Sequence, residues 1–343
     1  GLSALAGSLV AISANAAEIS VSGSVELTYT DTGGTTGNEV TGNSFGSNSG
    51  LTFTGSGDVG FGTVSMTRAI NDTNTGWGSA FQTLDMGDMG TLSFDSTGGA
   101  LVGVTANDDL LPTAYEESWT GVSGSGIAGV GSTNVIGYSN TFAGVSISAG
   151  YTNGEGAAQT GESASSGAGA HGSTRDIYLS MSPIDGLSIG AGQSVNSSTD
   201  TSTTSTDTVE SVANIIYTMG PVSVGYSKSY LDSGLASAAT TAVTTAKTVR
   251  TATGIFEAES MSIAFNMNEN LSLSYTSTED TYDDQDNATT AIEDVVQDTT
   301  ALQVAYSMGA MSVKAYQMET KAPGYDSDAA DLNVTEIALG LAF

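Results

Sequence analysis

The side chains of this chain that could do chemistry are mostly carboxylates, and they are densest near residue 280. The run consists of Glu279-Asp280, Asp283-Asp284, Asp286 and Glu293-Asp294. Oxygen ligands at such spacing suit Ca²⁺ or Mg²⁺, so the run indicates a weak divalent-cation site. Its candidate ligands are Asp280, Asp283, Asp284 and Asp286. The glycine and the glutamate of an EF-hand are missing from their positions, and we favour the alternative of a solvated extracellular loop.

Groups that could serve a covalent or acid–base mechanism are scarce. The chain has no cysteine, and its single histidine, His171, lies in a stretch rich in Gly, Ser and Ala, where we expect an exposed loop residue. The glycine-rich run 121–131 lacks the lysine and the strand–loop–helix context of a phosphate-binding loop. No spacing of nucleophile and base typical of a hydrolase is recognisable. We therefore predict that the protein is not an enzyme and has no resident cofactor.

The charge balance of the chain is strongly acidic. The sequence has 7 Lys and Arg residues against 37 Asp and Glu residues, which gives a formal charge of -30. A negative field of this size disfavours nucleic acid and other anionic partners and attracts cations. Nucleic acid is therefore excluded as a partner, and cations are favoured.

These side chains must be positioned by β-strands, because apolar and polar residues alternate along most of the chain. The first such segment places Ile19, Val21, Val25, Leu27 and Tyr29 on one face and Ser20, Ser22, Ser24, Glu26 and Thr28 on the other. The last segment, residues 332–343, alternates in the same way and ends on Phe343. A period of two is that of a strand, and about sixteen segments show it. No run of eighteen apolar residues follows the N-terminal segment, which excludes a helical membrane protein.

An even number of amphipathic strands predicts an all-β fold, a closed antiparallel transmembrane β-barrel with lipid outside. The first strand must then pair with the last, and we expect Ile19 to Tyr29 to lie against Val334 to Phe343, because an open edge is not tolerated in lipid. In the last strand the outward residues are expected to be Ile337, Leu339 and Leu341. The inward ones are expected to be Glu336 and Ala338, and a slip of one residue would reverse them all.

The connections between these segments alternate in length. Short ones are expected at 60–62, 87–90, 140–144, 182–186, 219–221, 266–270 and 307–310. Long ones are expected near 30–49, 71–79, 96–132, 152–173, 195–208, 231–252, 278–298 and 319–330. Short periplasmic turns and long extracellular loops are typical of outer-membrane barrels.

The first sixteen residues are not expected to belong to the barrel. They are small or apolar and end in Ala14-Asn15-Ala16, a small-x-small cleavage site. We interpret residues 1–16 as the remainder of a secretory signal peptide and residues 17–343 as one barrel domain. A retained N-terminal anchor is the alternative.

Several short motifs, taken in order, resemble the general diffusion porins of Gram-negative outer membranes. The motifs are Ala17-Glu18-Ile19-Ser20-Val21-Ser22-Gly23, Met86-Gly87-Asp88-Met89-Gly90-Thr91-Leu92, Tyr138-Ser139-Asn140-Thr141-Phe142-Ala143-Gly144-Val145, Tyr217-Thr218-Met219-Gly220-Pro221-Val222-Ser223-Val224 and the terminal Phe343. The resemblance covers nearly all of the mature chain. It implies a trimer of sixteen-stranded barrels in the outer membrane.

The resemblance also implies that the third long loop folds into the barrel and narrows it. The acidic residues that would line this constriction are Asp108, Asp109, Glu116 and Glu117. The family usually faces such acids with arginines on the wall, but after the Gly90-Thr91-Leu92 motif this chain has Asp95 and Ser96. With Asp85 and Asp95 on the wall and Lys314 as the lumen base, the constriction is expected to be acidic on both sides.

Three further bases have outward parity near the extracellular ends of their strands: Arg68, Arg175 and Lys228. A charge there can reach lipopolysaccharide phosphates from the edge of the hydrocarbon. A position in a trimer interface or above the membrane is equally consistent with the pattern.

These features together predict a passive, cation-selective channel for small hydrophilic solutes. Two other classes remain open: an acidic structural or adhesive cell-surface protein, and a substrate-specific channel. A specific channel would need an aromatic track or a charged ladder along the lumen, and neither is recognisable in the sequence.

Overall fold

Alternating segments of the sequence form sixteen strands in the part of the chain that the computed structural model describes. The described residues are 18–33, 43–71, 78–97, 102–103, 110–115, 134–153, 171–198, 207–232, 234, 254–283 and 294–343. The strands are β1 Glu18–Gly33, β2 Phe45–Asp58, β3 Thr63–Asn71, β4 Ser79–Asp85, β5 Thr91–Thr97, β6 Val135–Phe142, β7 Val145–Asn153, β8 His171–Ile184, β9 Leu187–Ser198, β10 Thr208–Met219, β11 Val222–Asp232, β12 Ile255–Asn266, β13 Leu271–Asp283, β14 Val295–Met308, β15 Met311–Lys321 and β16 Leu332–Ala342.

The strands close into one antiparallel barrel in which each strand pairs with its neighbours in sequence. β1 and β16 complete the ring, with Ser24 opposite Ala342 and Gly33 opposite Asn333. Backbone bonds of 2.8 and 2.9 Å between Gly23 and Phe343 extend this pairing to the last residue. The predicted closure is confirmed, although the paired part of β1 begins at Gly23, four residues later than Ile19.

Alternation decides which side chains face the membrane. Ile337, Leu339 and Leu341 point outward and are 37–48% exposed, whereas Ala338 between them faces inward and is 1% exposed. Glu336 also faces inward, where it bonds to Thr30 of β1. The predicted parity of the last strand is therefore correct, and the outward apolar side chains form the surface that lipid covers.

All seven predicted short turns connect paired strands at one end of the barrel, which we call the short-turn end. The β4–β5 turn holds a single 3₁₀ turn, Gly87–Met89. Eight longer connections leave the opposite, long-loop end. No helix in the described residues is long and apolar enough to cross a membrane.

Several strands extend further than the sequence predicts at the long-loop end. β1 reaches Gly33, β13 reaches Asp283 and β8 begins at His171, which is thus a strand residue and not the expected loop residue. The apolar alternation ends before the strands do, because outward positions beyond the hydrocarbon carry polar residues such as Glu279. The predicted signal segment, residues 1–16, lies outside the described residues.

Candidate functional site

The described parts of the connection between β5 and β6, residues 102–103 and 110–115, lie on the lumen side of the barrel wall. Its first described part, Val102 and Gly103, lies against the inner face of β7, where the Gly103 amide donates to Ser148 Oγ at 2.7 Å. Leu110 packs in a buried cluster with Tyr178 of β8 and Val212 of β10. The loop therefore follows the barrel wall.

The same loop then continues across β10 to β14. Asn214 Nδ2 donates to the carbonyl of Leu110 at 3.3 Å, and the amide of Ala114 donates to Ser274 Oγ at 2.8 Å. Gly225 of β11 leaves room for the loop, since a Cβ at this position would lie 2.5 Å from Pro112 Cδ. Polar side chains of the wall thus pair with backbone groups of the loop that turn away from the open lumen.

Tyr115 is the last described residue of this part of the loop, and four wall groups hold it. Its amide donates to Gln303 Oε1 at 2.9 Å, and its hydroxyl donates to Glu336 Oε1 at 2.8 Å. Its ring lies 5.6 Å from that of Tyr316. Lys314 Nζ lies 5.0 Å from the centre of the ring, a distance at which a cation and a ring attract.

Part of a second loop segment, residues 322–331, also lies inside the barrel at the long-loop end, where Gly324 and Tyr325 are buried. Tyr325 is fully buried in a cluster with Leu231, Phe256, Tyr282 and Val295, which face inward on β11 to β14 at directly paired positions. Its ring centre lies 5.1 Å from that of Phe256. The adjacent Gly324 amide donates to Gln297 Oε1 at 2.7 Å, so this loop is fixed by both apolar packing and a backbone bond.

These two loops divide the lumen into two walls. Each strand from β7 to β15 carries at least one buried inward side chain, and we call this the covered wall. Inward side chains of β1 to β4 are half-buried or exposed wherever they are described, and we call this the open wall. The exposure of these inward side chains indicates that the water-filled path runs along the open wall, opposite the described parts of the two loops.

The open wall is lined mainly by hydroxyl groups. Cross-strand pairs include Ser65 and Thr83, whose oxygens are 2.5 Å apart, and Thr54 and Thr67, 3.5 Å apart. The carboxylates of Asp58 and Asp85 lie at the short-turn end, where they accept from Gly60 and Gly87 amides. Glu26, near the middle of β1, is the only carboxylate that faces the lumen from the central part of this wall among the described side chains.

Bases are rare on the inner face. Among the described residues, Lys314 is the single lysine or arginine with inward parity, because Arg68, Arg175, Lys228 and Lys321 fall on the outward positions of their strands. Inward carboxylates are more numerous: Glu26, Asp58, Asp85, Asp95, Asp176, Glu210, Asp280 and Glu336. The inner face therefore carries an excess of acidic groups.

The structure places the predicted site residues in different surroundings. Asp95 faces inward on β5 and is 1% exposed, whereas Asp85 is exposed at the turn. Asp108, Asp109, Glu116 and Glu117 lie outside the described residues. Glu26, Asp176 and Glu210 were not predicted as site residues, although their parity is readable in the sequence, because parity alone does not reveal which wall the loops cover.

The two predicted divalent-cation ligands that the structure describes, Asp280 and Asp283, do not face the same side of the sheet. Asp280 faces inward and is 2% exposed, whereas Asp283 has the opposite parity at the end of β13. Asp284 and Asp286 lie outside the described residues. No group of three or more potential metal ligands occurs in the described part of the chain.

The three bases predicted to face outward lie in different environments. Arg175 is exposed on β8. Arg68 is half-buried and donates to the carbonyls of Thr67 at 2.8 Å and Phe81 at 3.4 Å. Lys228 lies 2.8 Å from a carboxylate oxygen of Glu259 and 3.6 Å from one of Glu257.

A closed sixteen-stranded barrel with an apolar exterior, a polar interior and a loop across its lumen defines an outer-membrane channel. The family model of the Gram-negative porins matches residues 1–342. The chain therefore belongs to the Gram-negative porin family and lies in the outer membrane. No curated protein sequence matches it.

Solved structures show the same fold at low sequence identity. Salmonella typhi OmpF in complex with daunomycin matches with a TM-score of 0.67 and 11% identity, over 95% of this chain and 97% of the other. An anion-selective porin from Comamonas acidovorans matches with a TM-score of 0.65 and 13% identity, over 95% of this chain and 100% of the other. The trimer form of in-vitro folded OmpT from Vibrio cholerae matches with a TM-score of 0.62 and 14% identity, over 96% of this chain and 100% of the other. Since an anion-selective porin shares the fold, the fold does not decide ion preference.

Proposed function

We propose that this porin lets small hydrophilic solutes diffuse passively and prefers cations over anions. One observation carries the proposal: among the described residues the inner face has several carboxylates and one base, Lys314, which lies over the ring of Tyr115. The open wall offers hydroxyl groups and Glu26, and no lysine or arginine among its described side chains. A negative lumen concentrates cations and depletes anions.

The test is the reversal potential of single channels in a planar bilayer under a KCl gradient. We expect a sign that favours K⁺, and we expect the preference to fall as salt rises, because charges are screened over about 3 Å at 1 M salt and about 10 Å at 0.1 M. Replacing Asp108, Asp109, Glu116 and Glu117 by Asn or Gln is expected to weaken the preference further. A wild-type preference for Cl⁻ would overturn the proposal.

The same assay separates the proposal from its alternatives. A surface protein without a channel gives no conductance steps. A substrate-specific channel gives conductance that one class of solute blocks at low concentration. An enzymatic role has no support in the site, because the lumen contacts described above are structural and the family is one of channels.

We propose that the channel is a homotrimer. The Vibrio cholerae structure with the same fold is described as a trimer form. β4 and β5 have seven residues each, which at about 3.3 Å per residue and a tilt of about 40° span about 18 Å, less than the apolar band of about 25 Å that lipid requires. Shielding of this short side by neighbouring copies removes the mismatch. Cross-linking in mild detergent should trap three chains, and a single-chain band alone would contradict this proposal.

We propose that Arg175 binds a phosphate group of lipopolysaccharide. It is exposed on the outward face of β8, whereas Lys228 is already paired with Glu257 and Glu259 and Arg68 bonds to backbone carbonyls. Copurification of lipopolysaccharide should fall in Arg175→Gln and stay unchanged in Lys228→Gln.

A divalent cation at the 280–286 run remains a prediction, which calcium titration of Asp284→Asn would test.

A further inference from the structure

Glu26 differs from the other lumen carboxylates in how it is held. Glu336 accepts hydrogen bonds from Thr30 and Tyr115, and Asp58 and Asp85 each accept one from a turn amide. Asp95, Asp176, Glu210 and Asp280 are 4% exposed or less. Glu26 is half-exposed on the open wall, so its charge lies beside the water-filled path.

A polar recess lies next to this carboxylate. A cavity of about 250 Å³ has Ser24, Glu26, Asn48 and Ser312 among its lining residues. Gly340, directly opposite Glu26 on β16, keeps the recess open, because a Cβ there would lie 2.6 Å from Ser312 Oγ and 3.9 Å from Glu26 Oε2. One carboxylate with hydroxyl and amide oxygens nearby suits a cation that keeps part of its hydration shell.

We propose that Glu26 and this recess form a cation subsite at the edge of the open wall, where β1 meets β16, and that Glu26 is a selectivity-determining residue for small monovalent cations such as K⁺. The proposal rests on the cation preference proposed above and assigns part of it to one side chain. The outer-face carboxylates cannot replace it, since the barrel wall separates them from the path. The carboxylates beneath the loops lie farther from the path and are covered by protein.

The proposal predicts a selectivity change with no change of fold. A unit charge about 5 Å from the ion path alters the local concentration of a monovalent ion about four-fold even in bulk water, so Glu26→Gln should lower the permeability ratio of K⁺ to Cl⁻ about four-fold or more at low salt. The matched control is Glu319→Gln, which removes the same charge from an exposed outward position on β15. It should leave the ratio unchanged.

A second variant removes any doubt about folding. Because the chain has no cysteine, Glu26→Cys introduces a single thiol that can be modified in channels already inserted in a bilayer. A methanethiosulfonate reagent bearing a sulfonate should restore cation preference, and one bearing a quaternary ammonium should shift it toward Cl⁻. The proposal also predicts that the sulfonate adduct leaves conductance for K⁺ higher than the ammonium adduct does.

The outcomes separate this proposal from the general one. If the wild-type channel prefers K⁺ and Glu26→Gln keeps the full ratio, the subsite is overturned while the cation-selective porin stands. If the two reagents on Glu26→Cys give equal reversal potentials, the side chain does not face the ion path and the subsite is likewise overturned. A wild-type preference for Cl⁻ overturns both.

Discussion

The open wall and the covered wall of this barrel are built from nearly the same side chains. Ser65 and Thr83 form a hydroxyl pair on β3 and β4 that stays half-exposed. Ser260 and Thr278 form the equivalent pair on β12 and β13, 2.9 Å apart, yet both are 3% exposed. The difference lies in the loops that lie over β12 and β13 and leave β3 and β4 free.

This comparison shows that a wall residue's role depends on what lies above it. On the covered wall, polar groups such as Ser274 and Gln303 bind loop backbone and hold the constriction in place. On the open wall the same types of group face water and line the path of the solute. Substitutions at matched positions should therefore affect permeation on one wall and loop docking on the other.

The largest effect on permeation is expected from placing a bulky side chain on the open wall, where it narrows the water-filled path. Thr54→Trp adds a bulky ring beside the path, and we expect single-channel conductance to fall by about half or more, because pore diameter limits ion flow. The measurement is conductance in 1 M KCl, where charge effects are screened. Phe53→Trp is the control, since Phe53 is the next residue on the outward face and 38% exposed. Equal conductance of the two variants would place the path elsewhere.

A smaller and different effect is expected from the covered wall. Tyr325→Ala removes a fully buried ring from the cluster with Phe256 and Tyr282, which should weaken docking of residues 322–331 by about 3 kcal/mol, the usual cost of such a cavity. Hydrogen exchange should then accelerate at the Gly324 amide, which bonds to Gln297. Tyr306→Ala on the outward face serves as the control and should not change exchange there.

The docking of this loop should also depend on pH. Burial, and then the nearby charge of Asp280, raise the pKa of the Tyr325 phenol far above its ordinary value of 10.0. In the docked loop the Tyr325 phenol therefore keeps its proton, whereas in a released loop it loses the proton above about pH 10. Docking is thus fully stable below pH 10 and weakens as the pH rises further. Tyr325→Phe should abolish this dependence in the protection factor of the Gly324 amide, which is its intrinsic exchange rate at each pH divided by the observed rate. An equal protection factor at pH 8 and pH 11 in the wild type would contradict it.

The smallest effect is expected from a substitution on the outer face of the barrel, measured as thermal stability. Lys228→Met breaks an exposed ion pair with Glu259, and exposed pairs contribute little because water screens them. The melting temperature in detergent should not change measurably. A clear loss of stability would show that this pair is covered, for example by a neighbouring copy of the chain.

The sequence by itself determined the barrel. Period-two alternation from Ile19 to Phe343, with seven short turns at the predicted places, specified strand number, parity and closure, because each strand must present one face to lipid and one to water. The resemblance of its motifs to a known family implied that the third long loop enters the lumen, and strand parity predicted that Lys314 faces inward. Strand ends such as His171 and Asp283 were missed, since outside the hydrocarbon both faces are polar and the alternation disappears.

Only the tertiary structure decided which inward residues line the path. Glu26 and Asp280 have the same parity and the same charge in the sequence, but Glu26 lies on an open wall and Asp280 lies 2% exposed near Tyr325. The contacts that make this difference, Tyr115 with Glu336 and Gly324 with Gln297, join residues far apart in the chain. Local pattern cannot encode them, because they depend on where two loops settle within a closed ring of strands.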